Sequence, residues 1–342
     1  MSDVLVEVLR GPLVDAVHRG DLAIVDAAGT LLASVDPDRV AYMRSAAKPF
    51  QAMPIVYTGA ASRWNLGPED LAILCASHSG EPVHVDRVTT VQARIGCVPT
   101  DLACGTHPPL FAPAAAALAR KGEQPGPLHH NCSGLHTSMI ATARHLNLDH
   151  HGYHDQDHPV QQEILANVAR FADVSADTIV VGTDGCNSPC HGLSVYRMAY
   201  AYARLMHPVD LPAQYSASAM TIRQAMISQA YLIGGTDRFD SDLMSVGEGR
   251  VLAKGGAGAV QCIGVVGGIG LALKIDDGIS GPASPGRPST MAAVAALQQI
   301  GALDDHHVAQ LDQHARPKLT TSSGLQVGHA RTTFDLSDQF MI

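Results

Sequence analysis

The sequence predicts a mixed α/β protein with a largely antiparallel sheet sandwiched by helices, and three observations carry that expectation. The chain opens with apolar and β-branched stretches at 4–9, 22–26 and 31–35, the last two joined by the turn Ala27-Ala28-Gly29, which together read as a meander. Near the other end, two apolar strands over 262–273 turn at Gly267-Gly268. Between them helical and apolar segments alternate, and the two flanking hairpins favour antiparallel pairing over a doubly wound parallel sheet.

The remaining elements have local causes. A helix opens at Ser45, a good capping type, with Pro49 tolerated in the early turns and Pro54 expected to kink or end it. The short apolar run 71–76 reads as a buried strand that delivers the polar cluster Ser77-His78-Ser79-Gly80-Glu81 at its end, where α/β sheets usually place their sites. Helices are expected over about 84–95 and 113–120, and from His129-His130-Asn131-Cys132-Ser133-Gly134 to about 148. Val160, Ile164, Val168 and Phe171 recur at helical spacing and predict a half-buried helix over 159–171. The stretch 178–181 reads as a β-branched strand that ends at Thr183-Asp184-Gly185-Cys186-Asn187. Helices near 193–206, 217–230 and 289–300, a late strand led by Lys254-Gly255-Gly256 and a last strand near 324–328 complete the chain, with an exposed loop expected at 280–289.

A chain of 342 residues can form one domain over 1–342, or two subdomains with the active site between them. The net charge of −9 and the absence of Lys or Arg runs argue against nucleic acid or an anionic membrane as partner and favour a small molecule. Aromatic residues are only 4%, too few for the stacking platforms of a nucleic-acid binder. No charged and apolar leader is visible at Met1-Ser2-Asp3-Val4, and seven cysteines, an odd number, suggest reduced thiols; the expected location is cytoplasmic.

The chemistry starts at Arg44-Ser45-Ala46-Ala47-Lys48-Pro49-Phe50-Gln51. Ser45 and Lys48 are one helical turn apart, so hydroxyl and amine can share a face. A lysine can take a serine's proton only once burial or a neighbouring cation leaves it neutral, and the uncharged Ala46, Ala47, Pro49, Phe50, Ala52 and Met53 allow such burial. Singly, each motif has a plainer reading: a capped surface helix at Ser45, a Ser-x-Ser turn at Ser77 and Ser79, an exposed lysine at Lys254. Their order, Ser-x-x-Lys, then Ser-His-Ser, then Lys-Gly-Gly, matches the layout of serine β-lactamases and penicillin-binding proteins. Cys132 and Cys186 could hold Zn²⁺ with a further ligand or stand as two buried thiols, and their spacing does not decide between these.

Over nearly its whole length the chain resembles the rhizobial-type (class 3) L-asparaginases of the asparaginase II family. The residues that carry the likeness are Arg44 to Gln51, Ser77-His78-Ser79-Gly80-Glu81-Pro82 with His84, Cys104-Gly105 with His107, Asn131-Cys132-Ser133-Gly134, His158-Pro159-Val160-Gln161, Asp184-Gly185-Cys186, Asp237-Arg238-Phe239-Asp240 and Lys254-Gly255-Gly256-Ala257. The resemblance implies a fold like that of serine β-lactamases and glutaminases, a homodimer, and hydrolysis of L-asparagine to L-aspartate and ammonia. Ser45 with Lys48 and Ser77 with Lys254 would be its two Ser-Lys pairs, and Arg44, His78 and Asp184 would hold the substrate. Cys132 and Cys186 would bind zinc, but Leu135 stands where the family has a ligating lysine, so the expectation is that no cofactor is required and that zinc binds weakly. Ala257-Gly258-Ala259 also departs from the family's Ala-Glu-Gly, which bears on substrate affinity. Two other readings use the same residues: a β-lactam or peptidoglycan hydrolase, and a catalytically weak descendant that binds a metabolite or a metal.

Overall fold

The computed structural model describes residues 2–279 and 287–339. The chain divides into two units, one formed by Met1–Ala46, Leu193–His207 and Val246–Ile342, the other by Ala47–Gly192 and Pro208–Ser245.

The first unit is built on an antiparallel sheet. Its strands run in the order Lys318–Thr320, Gln326–Thr332, Asp3–Arg10, Leu13–Asp26, Ile269–Ile275, Val260–Val265 and Val251–Gly256, with Leu31–Val35 also paired to Leu13–Asp26. The long strand changes neighbours along its length: Leu13–Gly20 pairs with the first strand, and Gly20–Asp26 pairs with Ile269–Ile275. Leu22, Ala23, Ile24 and Val25 are all fully buried, as are Leu271, Ala272 and Leu273. Successive strand residues point to opposite faces, so both faces of this part of the sheet are covered. The helices Val195–Met206 and Pro288–Gln299 both pack on it. The mixed α/β class and the antiparallel sheet are therefore as the sequence predicts.

The second unit is mainly helical. Its central helix, Ser133–His145, is buried from Ser133 through Ala143 although its sequence is rich in hydroxyls. Those hydroxyls bond back along the helix, Thr137 Oγ1 to the Ser133 carbonyl at 2.9 Å and Thr142 Oγ1 to the Ser138 carbonyl at 2.9 Å, so burial leaves them satisfied. The helix Pro159–Ala172 docks through a tilted Phe50–Phe171 ring contact and an Asn167 amide that donates to the Phe50 carbonyl.

Several local expectations need correction. The run 71–76 is not a strand: Pro68–Leu74 is a helix, with Pro68 at its first turn and Asp70 Oδ2 accepting the Gly67 N–H at 2.9 Å. Asp70 through Leu74 are all buried, so no polar face marks the helical period, and a short buried helix reads like a buried strand. A strand at Pro189–Ser194 goes unread, and the helix expected near 193 starts at Val195 with the Ser194 hydroxyl accepting the Arg197 N–H. Ser45 lies in a 3₁₀ turn, Arg44–Ala47, and Ala47 rather than Ser45 precedes the helix Lys48–Ala52. Pro54 does end that helix and begins another. Of the loop expected at 280–289, residues 280–286 lie outside the described ones, and Pro288 and Ser289 are already helical. Among the described residues no helix is long and apolar enough to cross a membrane, and the cysteines form no disulfide.

Candidate active site

In the second unit Lys48 is 1% exposed at the start of its helix. Its Nζ reaches the Ala76 carbonyl at 2.6 Å, Ser77 Oγ at 2.9 Å, Cys132 Sγ at 3.2 Å and the Asn131 carbonyl at 3.4 Å. An ammonium has at most three protons to donate, so the long Asn131 contact is the weakest of the four. Ser77 is held from behind, since its N–H donates to the Ile233 carbonyl and the Ser79 N–H to the Gly234 carbonyl, both at 2.9 Å. The polar cluster thus follows a helix rather than a strand.

Cys132 is brought to the same place by Gly134. A Cβ on Gly134 would stand 2.0 Å from the Ile73 carbonyl oxygen, so only glycine lets the Cys132 helix lie against the end of Pro68–Leu74. Cys132 precedes the first residue of the helix Ser133–His145 and hydrogen-bonds with Cys186. The Cys186 thiol, then Lys48 and His130, hold the Cys132 thiol well below its usual range against the cost of burial. Cys186, which gives its proton to that bond, is pushed up by the bond and by burial. Burial first, with Asp101 beside Cys97 and Cys132 beside Cys104 adding to it, takes these two thiols the other way, up to about 12. Among these four, only Cys132 is shifted downward.

A zinc ion needs more than this pair. Leu135 is buried, and the next residue, His136, has both nitrogens committed, Nδ1 to the Tyr153 hydroxyl at 2.5 Å and Nε2 to Ser188 Oγ at 3.1 Å. Burial lowers His136 to about 3. The one group of three or more His, Cys, Asp or Glu ligand atoms within 4.8 Å of one another, among the described residues, is Asp149, His150 and His151 on a polar loop elsewhere. The His130 side chain bonds Cys132, but among the described residues no third His, Cys, Asp or Glu ligand atom lies within 4.8 Å of both thiols, so the set as arranged does not fit a tetrahedral zinc centre.

His78 is fully buried, its Nδ1 accepting the Gly80 N–H at 3.1 Å and its Nε2 donating to Ser133 Oγ at 2.9 Å. Burial, and then His84, push it well below the usual histidine range, so it is a neutral strut between the Ser77 segment and the Cys132 helix. Asp184 is half-buried in the turn that carries Cys186, with Oδ1 accepting the Gly185 N–H at 2.6 Å.

The first unit holds Arg44, Ser45 and Lys254. Arg44 has a φ of 52°, a strained value for a non-glycine residue, and Ser45 is half-buried beside it. The turn is fixed by the Ala46 N–H on the Met43 carbonyl and by the Tyr202 hydroxyl, which donates to the Ala46 carbonyl at 2.7 Å. A Cβ on Gly256 would lie 2.5 Å from the Met43 carbonyl oxygen and 3.1 Å from Arg44 Cβ, so the strand of fully buried Lys254 runs directly against the Ser45 turn. Sequence spacing pairs Ser45 with Lys48, and the family resemblance pairs Ser77 with Lys254; within the units, Lys48 meets Ser77 and the Ser45 turn meets the Lys254 strand.

Sequence reasoning gave no role to Ser133, Glu81 or Arg238, and gave His130 one only as a stand-in zinc ligand beside Cys132. Glu81 is buried and accepts from the Thr236 N–H at 2.9 Å, the Tyr231 hydroxyl at 2.7 Å and the Thr236 hydroxyl at 3.0 Å. Burial would raise its carboxyl, but these bonds keep it below the usual range. Arg238 Nη1 donates to Ser79 Oγ at 3.2 Å. Both residues stand in stretches quoted for the resemblance, which was the one signal available.

The L-asparaginase II family model matches residues 6–332, and the chain belongs to that family. Among solved structures it is similar to Mglu in its native form in 4.3 M NaCl, with 14% identity, 83% of this chain and 61% of that chain covered and a TM-score of 0.37. It is also similar to Mglu in its tris and glutamate form, with 16% identity, coverage of 87% and 63% and a TM-score of 0.36. The matched part is thus less than two thirds of the length of those chains. Among curated proteins none matches.

Proposed function

We propose that this protein hydrolyses L-asparagine to L-aspartate and ammonia through a Ser/Lys centre. The observation that carries the reading is the buried Lys48 amine on the Ser77 hydroxyl. A serine oxygen attacks the side-chain amide carbon as its proton passes to a lysine; the tetrahedral adduct collapses as ammonia leaves with a proton, and water then hydrolyses the ester that remains. In the first form of this reading Ser45 is the nucleophile and Lys48 its base, while Ser77 and Lys254 pass protons to the departing ammonia and support the oxyanion. The direct Lys48–Ser77 bond favours a second form in which Ser77 attacks.

Arg44 and Asp184 would contact substrate, and His78 would support Ser77 from behind. No metal step is invoked, since among the described residues no third His, Cys, Asp or Glu ligand atom lies within 4.8 Å of both Cys132 and Cys186. A cytoplasmic homodimer belongs to the same proposal and is carried by the family resemblance; light scattering reads the oligomeric state.

Ammonia release from L-asparagine and L-glutamine, and the colour change on ring opening of a chromogenic cephalosporin, by wild type and by Ser45→Ala and Ser77→Ala, test the proposal. Turnover of asparagine well above the other two is expected, and whichever serine variant fails to form a covalent adduct by mass spectrometry carries the nucleophile. Hydrolysis of the cephalosporin alone would favour a β-lactam hydrolase, and no hydrolysis of any would favour a binding protein.

A further inference from the structure

Arg238 stands just before the helix Phe239–Val246 and is half-buried. Its guanidinium bonds to Ser79 Oγ at 3.2 Å and makes no ion pair with a carboxylate among the described residues. The nearby buried carboxylate, Glu81, is already satisfied by Thr236 and Tyr231. A guanidinium taken partly out of water without a counter-ion is costly, and its planar fork matches a carboxylate in geometry and charge. Most of its five N–H donors remain to be used.

Its place fits a substrate that reacts at Ser77. The N–H groups of Ser77 and Ser79 both donate to the 233–234 segment, and two residues apart the serines are separated by at most about 7 Å along the chain. In asparagine the side-chain amide carbon and the α-carboxylate oxygens are roughly 4 Å apart, and one further hydrogen bond brings the reach to about 7 Å.

We infer that Arg238 binds the α-carboxylate of the amino-acid substrate and so sets the preference for a free amino acid over one blocked at that group; the assignment rests on the amidohydrolase reading above. Kinetics on L-asparagine and on its α-methyl ester, which keeps the side-chain amide but loses the negative charge, test it in wild type, Arg238→Ala and Arg238→Lys, with folding checked by circular dichroism. Wild type should prefer asparagine. Arg238→Ala should raise KM for asparagine about 10- to 100-fold, with a smaller fall in kcat and little change on the ester, so that the preference collapses. Arg238→Lys should recover part of it, and Arg238→Gln reads the same comparison if Arg238→Ala does not fold. Equal losses on both substrates would make Arg238 a clamp on Ser79 and overturn the assignment, as would an unchanged preference. A wild type that releases no ammonia from asparagine overturns the underlying reading and this one with it, whereas an active wild type with unaltered preference in Arg238→Ala overturns this one alone.

Discussion

The two units hold their functional segments by different means. In the sheet unit the Ser45 turn is held chiefly by backbone: carbonyl bonds at Met43 and Ala46, and Gly256 packed against them. In the helical unit Lys48 is held by groups from separate segments, Ala76 and Ser77, Asn131 and Cys132, with Cys186 on Cys132 behind them. A backbone-held turn transmits a disturbance as strain, whereas a partnered side-chain centre transmits it as charge and lost hydrogen bonds.

Removing the lysine should therefore have the largest effect. Lys48→Met deletes the amine that meets both Ser77 and Cys132; asparagine turnover should fall about 10³- to 10⁴-fold. Near-native ammonia release from a folded variant would place the chemistry elsewhere.

The next contrast is between the two glycines. Alanine at Gly134 meets a carbonyl at 2.0 Å, and at Gly256 one at 2.5 Å, so both should destabilise, by about 1–3 kcal/mol, with Gly134→Ala the worse. Denaturant midpoints measure this, and equal midpoints for both variants and wild type would show that the backbones part easily.

Acid should weaken the helical unit through its buried histidines. Burial lowers His136 to about 3 and His191 to about 4, from 6.5 in an exposed chain. As pH falls below about 6.5 the unfolded chain takes up protons that these native residues refuse, so stability should drop from there toward pH 3 and be flat, in this respect, above 6.5. Among the described residues neither ring nitrogen of His191 has a hydrogen-bond partner, so His191→Phe should flatten the slope, which thermal melts across pH would show. A slope identical to wild type would contradict the assignment.

The smallest expected effect is that of chelation. With Leu135 in place and, among the described residues, no third His, Cys, Asp or Glu ligand atom within 4.8 Å of both Cys132 and Cys186, protein purified without added metal should carry well under one zinc per chain and keep its activity in a chelator. One tightly held zinc, lost together with activity in Cys132→Ala, would show that another group completes the site.

How much of this was legible follows from how local each feature is. The opening meander shows in the alternation of a few neighbouring residues. The helix Pro68–Leu74 did not, because burial on all sides erases the period, nor did Pro189–Ser194, where Pro189 and Gly192 dilute the β signature. Spacing within one turn suggested Ser45 for Lys48, while the Lys48–Ser77 bond spans 29 residues and depends on the packing of two helices and the 233–234 segment. Cys132 and Cys186 are paired by tertiary structure alone, so only the family resemblance could join them beforehand. Arg238 was visible as part of a motif, but its bond to Ser79, 159 residues away, was not.

The central claim is that Lys48 and Ser77 act as one unit. Asparagine turnover in Lys48→Met, Ser77→Ala and the double variant, each shown to be folded, tests it most directly. The double variant should be little slower than the worse single one, because removing either partner already disables the pair. Losses that multiply in the double variant would mean that the two side chains act independently, and the 2.9 Å bond between them would be structural only.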